Sequence, residues 1–145
     1  MTNPASDTSF TGSIPELYEQ LLVPLIFEPY ANDIARRAQA LRPARVLEVA
    51  AGTGVVTRHL ATSLPTGCTL VATDLNGAML EVARRQGVSR PVNWQVADAM
   101  QLPFEDGAFD LVVCQFGVMF FPDKPHAFAE ARRVLRPGGH LLFNV

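Results

Sequence analysis

Five short apolar runs, each set off from the next by intervening chain that is largely helical in rhythm, constrain this chain more than any other feature. The runs are RVLEVA (45–50), TLVATD (69–74), VNWQVA (92–97), FDLVVCQ (109–115) and HLLFNV (140–145). Between them lie VVTRHLATSL, NGAMLEVARRQG and KPHAFAEARRVLRPGG. Their ends carry suitable residues: Asn76 to cap one helix, Gly87 and Gly138 to terminate two. Strands apolar on both faces and joined by helices predict a parallel sheet covered on both sides. Right-handed crossovers make it a doubly wound α/β layer.

A length of 145 residues with 48% hydrophobic content suffices for one domain with its own core. The net charge of −2 and the scatter of Lys and Arg offer no concentrated basic face, which argues against nucleic acid as a partner. Cys68 and Cys114 form no CxxC pair, so neither zinc nor a disulfide framework is expected, and a reducing cytosol is the default. The start, MTNPASDTSFTGSIPE, lacks the order of a signal peptide. No apolar run approaches the roughly 20 residues that span a bilayer. A cytoplasmic protein without a membrane partner is the expectation.

Residues 1–13 read as a mobile polar tail. Over 14–42, Leu17, Leu21, Leu22, Leu25 and Ile26 recur at helical spacing, while Pro24 and Pro29 divide the segment into two or three short helices. In YANDIARRAQAL, Ile34, Ala38 and Leu41 are expected to face inward, with Arg36 and Arg37 in solvent. The core occupies 43–145.

In open α/β sheets, ligands collect at the carboxyl ends of the strands. The first run ends in Glu48, Ala50, Ala51, Gly52, Thr53 and Gly54, where the glycines allow a tight turn and close approach of backbone to a ligand. The second ends at Asp74, the third at Asp98 and Ala99, the fourth at Cys114, Gln115 and Phe116. A carboxylate some twenty residues after the glycines can accept both hydroxyls of a ribose. A dinucleotide fits less well. The third glycine of GxGxxG is replaced by Thr57, and the Glu48 carboxylate would repel a pyrophosphate but attract an ammonium group. A ribose without phosphate, carrying a cation, describes S-adenosylmethionine.

These residues resemble the class I S-adenosylmethionine-dependent methyltransferases, and within them the small-molecule group typified by ubiquinone and menaquinone C-methyltransferases. The likeness covers 44–145. VLEVAAGTG is similar to the first motif of the family, with Glu48, Gly52 and Gly54 in the acidic and glycine places. VATDLNGAML resembles the second, which implies Asp74 at the ribose and Leu75 and Met79 near adenine. VADAMQLPFEDGAFDLVVCQFGVMFFPD resembles the third and fourth, which implies Asp98 and Ala99 at the adenine edge and Gln115 at the cofactor. EARRVLRPGGHLLF is similar to the lead into the fifth strand. The resemblance implies a Rossmann-like, five-stranded, mostly parallel sheet of order 3-2-1-4-5. A core without the family's C-terminal antiparallel hairpin is the expectation for these residues. It also implies that the segment around Tyr18 closes over the cofactor as a lid. Ala50 stands where the family commonly has glycine, and is expected to keep extended geometry. No Asn-Pro-Pro-Tyr follows the fourth strand, so adenine and glutamine lose support as acceptors.

Methyl transfer needs the acceptor atom held in line with the C–S bond, and no universal catalytic residue. Of His59, His126 and His140, only His126 is expected on the ligand side, most simply as a solvated helix start. Plainer roles exist for the others. Glu48 can pair with Arg45 or Arg58, Asp74 and Asp98 can cap helices, and Cys114 can be packing. Phe116, Phe120 and Phe121 can be core, though at least one is expected to border the acceptor. The fifth strand leaves an apolar edge, so a homo-oligomer that covers it, or a piece of a longer enzyme, is expected. Two functions follow: a methyltransferase for a small apolar or aromatic acceptor, or a cofactor-binding module without turnover.

Overall fold

The computed structural model describes residues 13–145, so the tail expected over 1–13 lies almost wholly outside the described residues. Helical backbone runs without a break from α1 (Ile14–Leu17) through a wider, π-pitched segment (Tyr18–Phe27) into α2 (Glu28–Ala40). This differs from separate short helices. Pro24 sits inside the widened turns, and Pro29 lies in the first turn of α2, where a missing N–H costs little. Ile34 and Ala38 are buried as expected, whereas Leu41 ends up exposed past the end of α2. Arg36 and Arg37 lie in solvent and pair with Asp33.

Beyond this come β1 (Arg45–Glu48), α3 (Val55–Ser63), β2 (Thr69–Asp74), α4 (Gly77–Gln86), β3 (Asn93–Val96), β4 (Phe109–Gln115), a single 3-10 turn (Val118–Phe120), α5 (Lys124–Val134) and β5 (Leu135–Asn144). All neighbouring strands are parallel, in the order β3-β2-β1-β4-β5. The order reverses between β1 and β4, and that is where a doubly wound sheet opens a crevice. Strand alternation divides the core. Val46, Leu70, Leu111 and Val113 pack against α2 and α3; Leu47, Val71, Val112 and Cys114 face α5.

Several ends are set by local chemistry. The Asn76 side chain accepts from the N–H groups of Ala78 and Met79, and Gly87 closes α4 at φ +77°. Gly138 does not terminate a helix. α5 stops at Val134, β5 begins at Leu135, and Gly138 (φ +79°) lies where the register slips between Phe109 and Leu111. The last turn of α3 is capped from a distance. The Arg90 guanidinium donates to the carbonyls of Ala61 (2.7 Å), Leu64 (2.6 Å), Pro65 (3.0 Å) and Cys68 (3.4 Å), satisfying acceptors a helix end leaves open. Asp110 ties the start of β1 to β4 by accepting from Ala44 N–H (2.7 Å) and Arg45 N–H (2.8 Å).

Candidate functional site

A pocket of about 500 Å³ lies at the carboxyl ends of the strands, roofed by the π-pitched segment. It brings together Tyr18, Ala50, Gly52, Asp74, Leu75, Met79, Asp98, Ala99 and Gln115. Phe116, Phe120 and Phe121 line it too, so the aromatic set belongs to the pocket wall. Two expected residues lie elsewhere. Gly54 starts α3 at φ +87°, and a Cβ there would sit 3.0 Å from Ala83 Cβ and 3.3 Å from the Trp94 ring. Its bareness therefore serves helix packing. Glu48 borders a side cavity of about 30 Å³, whose lining shares Tyr18, Phe27, Ala50, Gly52 and Gln115 with the large pocket.

Asp74 organises the polar wall. One carboxylate oxygen accepts from Gly52 N–H at 2.8 Å and the other from Asn76 N–H at 2.8 Å. The turn after β1 is thus clamped to the turn after β2. Asn76 rather than Asp74 caps α4. Asp98 accepts from Met100 N–H at 2.8 Å in a turn, and no helix follows for it to cap.

Glu48 requires a correction of charge. It is 1% exposed and accepts from the Thr57 hydroxyl at 2.5 Å, and it pairs with neither Arg45 nor Arg58. Burial pushes its carboxyl up to about 8, outweighing the Thr57 bond. That direction favours the protonated acid at neutral pH over the anion expected from the sequence. Burial, with Asp74 nearby, also raises the Tyr18 hydroxyl to about 12, so it stays protonated and can donate a hydrogen bond. The Cys114 thiol, 2% exposed and likewise pushed up to about 12 by burial, is packing.

Ala50 is not extended: its φ is +57°, and Phe116 stands at +52°. Each left-handed non-glycine residue costs on the order of 1–2 kcal/mol, and both flank the same crevice. Gly117 leaves room for the close approach of these two turns. A Cβ on it would lie 2.6 Å from Ala50 Cβ and 2.8 Å from Cys114 Sγ. Gly117 also lines the pocket and was readable only as a glycine following a strand.

Long-range contacts seat the helical roof. Phe27 stacks on Tyr18 (5.4 Å) and meets Phe116 (5.5 Å), and Tyr30 meets Phe116 edge-on (5.2 Å). Glu19 accepts from Arg58 (2.5 Å) and from the Thr53 hydroxyl, while Arg58 also donates to the Thr53 carbonyl (3.0 Å). His59 bonds Glu28 at 2.6 Å. No histidine lines the pocket, and among the described residues no cluster suits a metal ion. No helix there is long and apolar enough to cross a membrane.

A doubly wound sheet with its crevice at a glycine loop and an acid on the next strand is the arrangement of class I S-adenosylmethionine-dependent methyltransferases. The chain belongs to that family: residues 47–143 match the description "Methyltransferase domain". Its curated relatives include proteins named for menaquinone and ubiquinone methylation. It is 43% identical over 102 residues to demethylmenaquinone methyltransferase of Thermus thermophilus, covering 69% of this chain and 46% of that one. It is 44% identical over 103 residues to the ubiquinone/menaquinone biosynthesis C-methyltransferase UbiE of Pseudomonas aeruginosa, covering 68% and 40%. The chain thus spans less than half the length of these curated relatives. A solved protein of Methanococcus maripaludis, assigned to the S-adenosylmethionine-dependent methyltransferases, superposes with a TM-score of 0.76 at 24% identity. That match covers 91% of this chain and 60% of that one, and supports the fold.

Proposed function

We propose that the protein transfers a methyl group from S-adenosylmethionine to a small, apolar, ring-bearing acceptor of the quinol type. The observation that carries this is the Asp74 clamp on the rim of a pocket whose lining includes no Lys, Arg or His. A pocket of about 500 Å³ falls in the range for cofactor-sized ligands. An acid at a strand end, rather than a phosphate-binding cation, fits a nucleoside without phosphate.

In this reading Asp74 holds the ribose hydroxyls, and Leu75 and Met79 pack against the base. Asp98 and Ala99 meet the adenine edge. Ala50 and Gly52 carry backbone close to the amino-acid portion, with Tyr18 and Gln115 at its side. Glu48, reached through the side cavity, becomes an anion when it meets the ammonium. Gly54 supports the loop from behind. Residues 14–42 act as a lid, joined to the loop through Glu19. When bound, the sulfonium supplies the electrophilic methyl. The protein's share is to align the acceptor on the Phe116–Phe121 wall and to exclude water. Tyr18 keeps its proton, so the acceptor carbon is activated within its own ring. The likeness to relatives named for quinone methylation supports that acceptor class.

Two measurements test the proposal. Calorimetry should show binding of S-adenosylhomocysteine and not NAD. Methyl-labelled cofactor should pass label to a demethylmenaquinol analogue. Binding without transfer would reduce the chain to a cofactor-binding module, and NAD binding alone would overturn the reading.

A further inference from the structure

The β4 wall presents one side-chain amide to the pocket, that of Gln115, and both ends of it are already engaged. Its Nε2 donates to the Phe27 carbonyl in the helical roof at 3.2 Å. Its Oε1 accepts from Asn144 Nδ2 on β5 at 3.2 Å. Asn144 pairs with Gln115 in the strand register and also holds the neighbouring residue. Phe116 N–H lies 3.0 Å from Asn144 Oδ1 and 3.1 Å from Asn144 carbonyl oxygen. Phe116 is the residue at φ +52°, and its ring contacts both Phe27 and Tyr30.

We propose that Asn144 is a positioning residue, which fixes the orientation of the Gln115 amide and through it seats the helical roof on the pocket. An amide rotated by half a turn exchanges its donor and its acceptor. Only a donor on the β5 side keeps Oε1 there and leaves Nε2 for Phe27. In the reverse orientation the Gln115 and Phe27 oxygens face each other, and two acceptors cannot bond. Asn144 thereby sets which hydrogen-bonding atoms of Gln115 remain for a ligand. The same residue holds Phe116 in its strained backbone conformation, so two wall residues depend on one side chain. The ligand part of this inference rests on the cofactor reading above; the seating of the roof does not.

Asn144→Asp keeps the shape and the acceptor for Phe116 N–H but cannot donate to Gln115 Oε1. In the ligand-free protein, amide exchange over residues 18–40 should then speed up about tenfold, as expected for the loss of one bond of this kind. Affinity for S-adenosylhomocysteine should fall about fivefold. In a Gln115→Ala background the Asn144→Asp change should add nothing to either readout. Unchanged exchange over 18–40 in Asn144→Asp, or full additivity with Gln115→Ala, would overturn the proposal. Exchange is read without ligand, so it decides the matter even if wild type fails to bind S-adenosylhomocysteine, a failure that would instead sink the cofactor reading. If Asn144→Asp does not fold, Gln115→Glu breaks the chain of bonds from the other side. It turns the donor facing Phe27 into a carboxylate oxygen, and it must loosen the same segment.

Discussion

The two walls of the pocket are built on opposite principles. On the β1–β2–β3 side, polar groups are oriented by bonds within and between strand-end turns: Asp74 to Gly52 and Asn76, Asp98 to Met100. On the β4 side such bonds are confined to Gln115 and the Phe116 backbone, and beyond them the side chains of Phe116, Met119, Phe120 and Phe121 form an apolar surface. Met119 and Phe120 remain 40% and 52% exposed. A wall of fixed acceptors and N–H groups suits the part of a ligand that never varies. A wall of aromatic and thioether side chains suits a variable apolar partner. In the proposed function the first wall would take most of the cofactor and the second the acceptor.

Breaking the polar wall should have the largest effect. Asp74→Ala removes the acceptor shared by two turns, and S-adenosylhomocysteine binding should weaken on the order of 100-fold by calorimetry, as for an unmade buried charged bond. Next comes the seam between the walls. Gly117→Ala places a methyl into the Ala50 and Cys114 contacts and should lower stability by about 2 kcal/mol in chemical denaturation. Ala50→Gly should recover part of that loss, since it removes one of the clashing atoms and relieves the positive φ. On the apolar wall, Phe120→Ala should lower kcat/KM for the quinol acceptor about tenfold while leaving S-adenosylhomocysteine affinity unchanged. A parallel loss of cofactor affinity would erase the distinction between the walls.

The pH dependence is a subtler probe. The Glu48 carboxyl is raised to about 8 in the folded state, chiefly by burial. Its contribution to stability is therefore complete below the ordinary carboxylate range and is lost as pH rises toward 8. Binding an ammonium favours the ionised form, so affinity for S-adenosylhomocysteine should rise between pH 6 and 8, by up to about tenfold, with release of a proton. Glu48→Gln should flatten that slope, and a slope that persists in the variant would assign it to another group. The smallest effect is expected at the surface. Glu16→Gln breaks an exposed pair with Arg85 and should cost under about 0.5 kcal/mol.

The walls also differ in how much of them could be read from sequence. The polar side is encoded locally. A strand that stops at an acid, and a loop with two glycines, carry their geometry in a few adjacent residues, so the places of Asp74 and Gly52 were legible, whereas the sheet order came from the family resemblance. Ala50 departs from the extended geometry expected of an alanine, and it packs against Gly117, 67 positions away in the chain, a proximity that no local signal discloses. Glu48 was placed correctly in the strand, but its protonation depends on burial, which one residue's identity does not disclose. The ties from Glu19 to Thr53 and Arg58 span 34 and 39 residues without any periodic signal. The early start of β5 comes from a register slip against β4 rather than from strand propensity in an Arg-Pro-Gly-Gly stretch.

Arg90 has a mechanical consequence for how such a roof could open. Its guanidinium grips the far end of α3 through the Ala61 and Leu64 carbonyls and the loop beyond it through those of Pro65 and Cys68, while Gly54 lets the near end nestle against Ala83 and Trp94. A rod pinned at both tips cannot slide lengthwise. In the lid motion proposed above, residues 14–40 would pass across α3 as over a stationary rail, with the glycine loop at its head keeping its place.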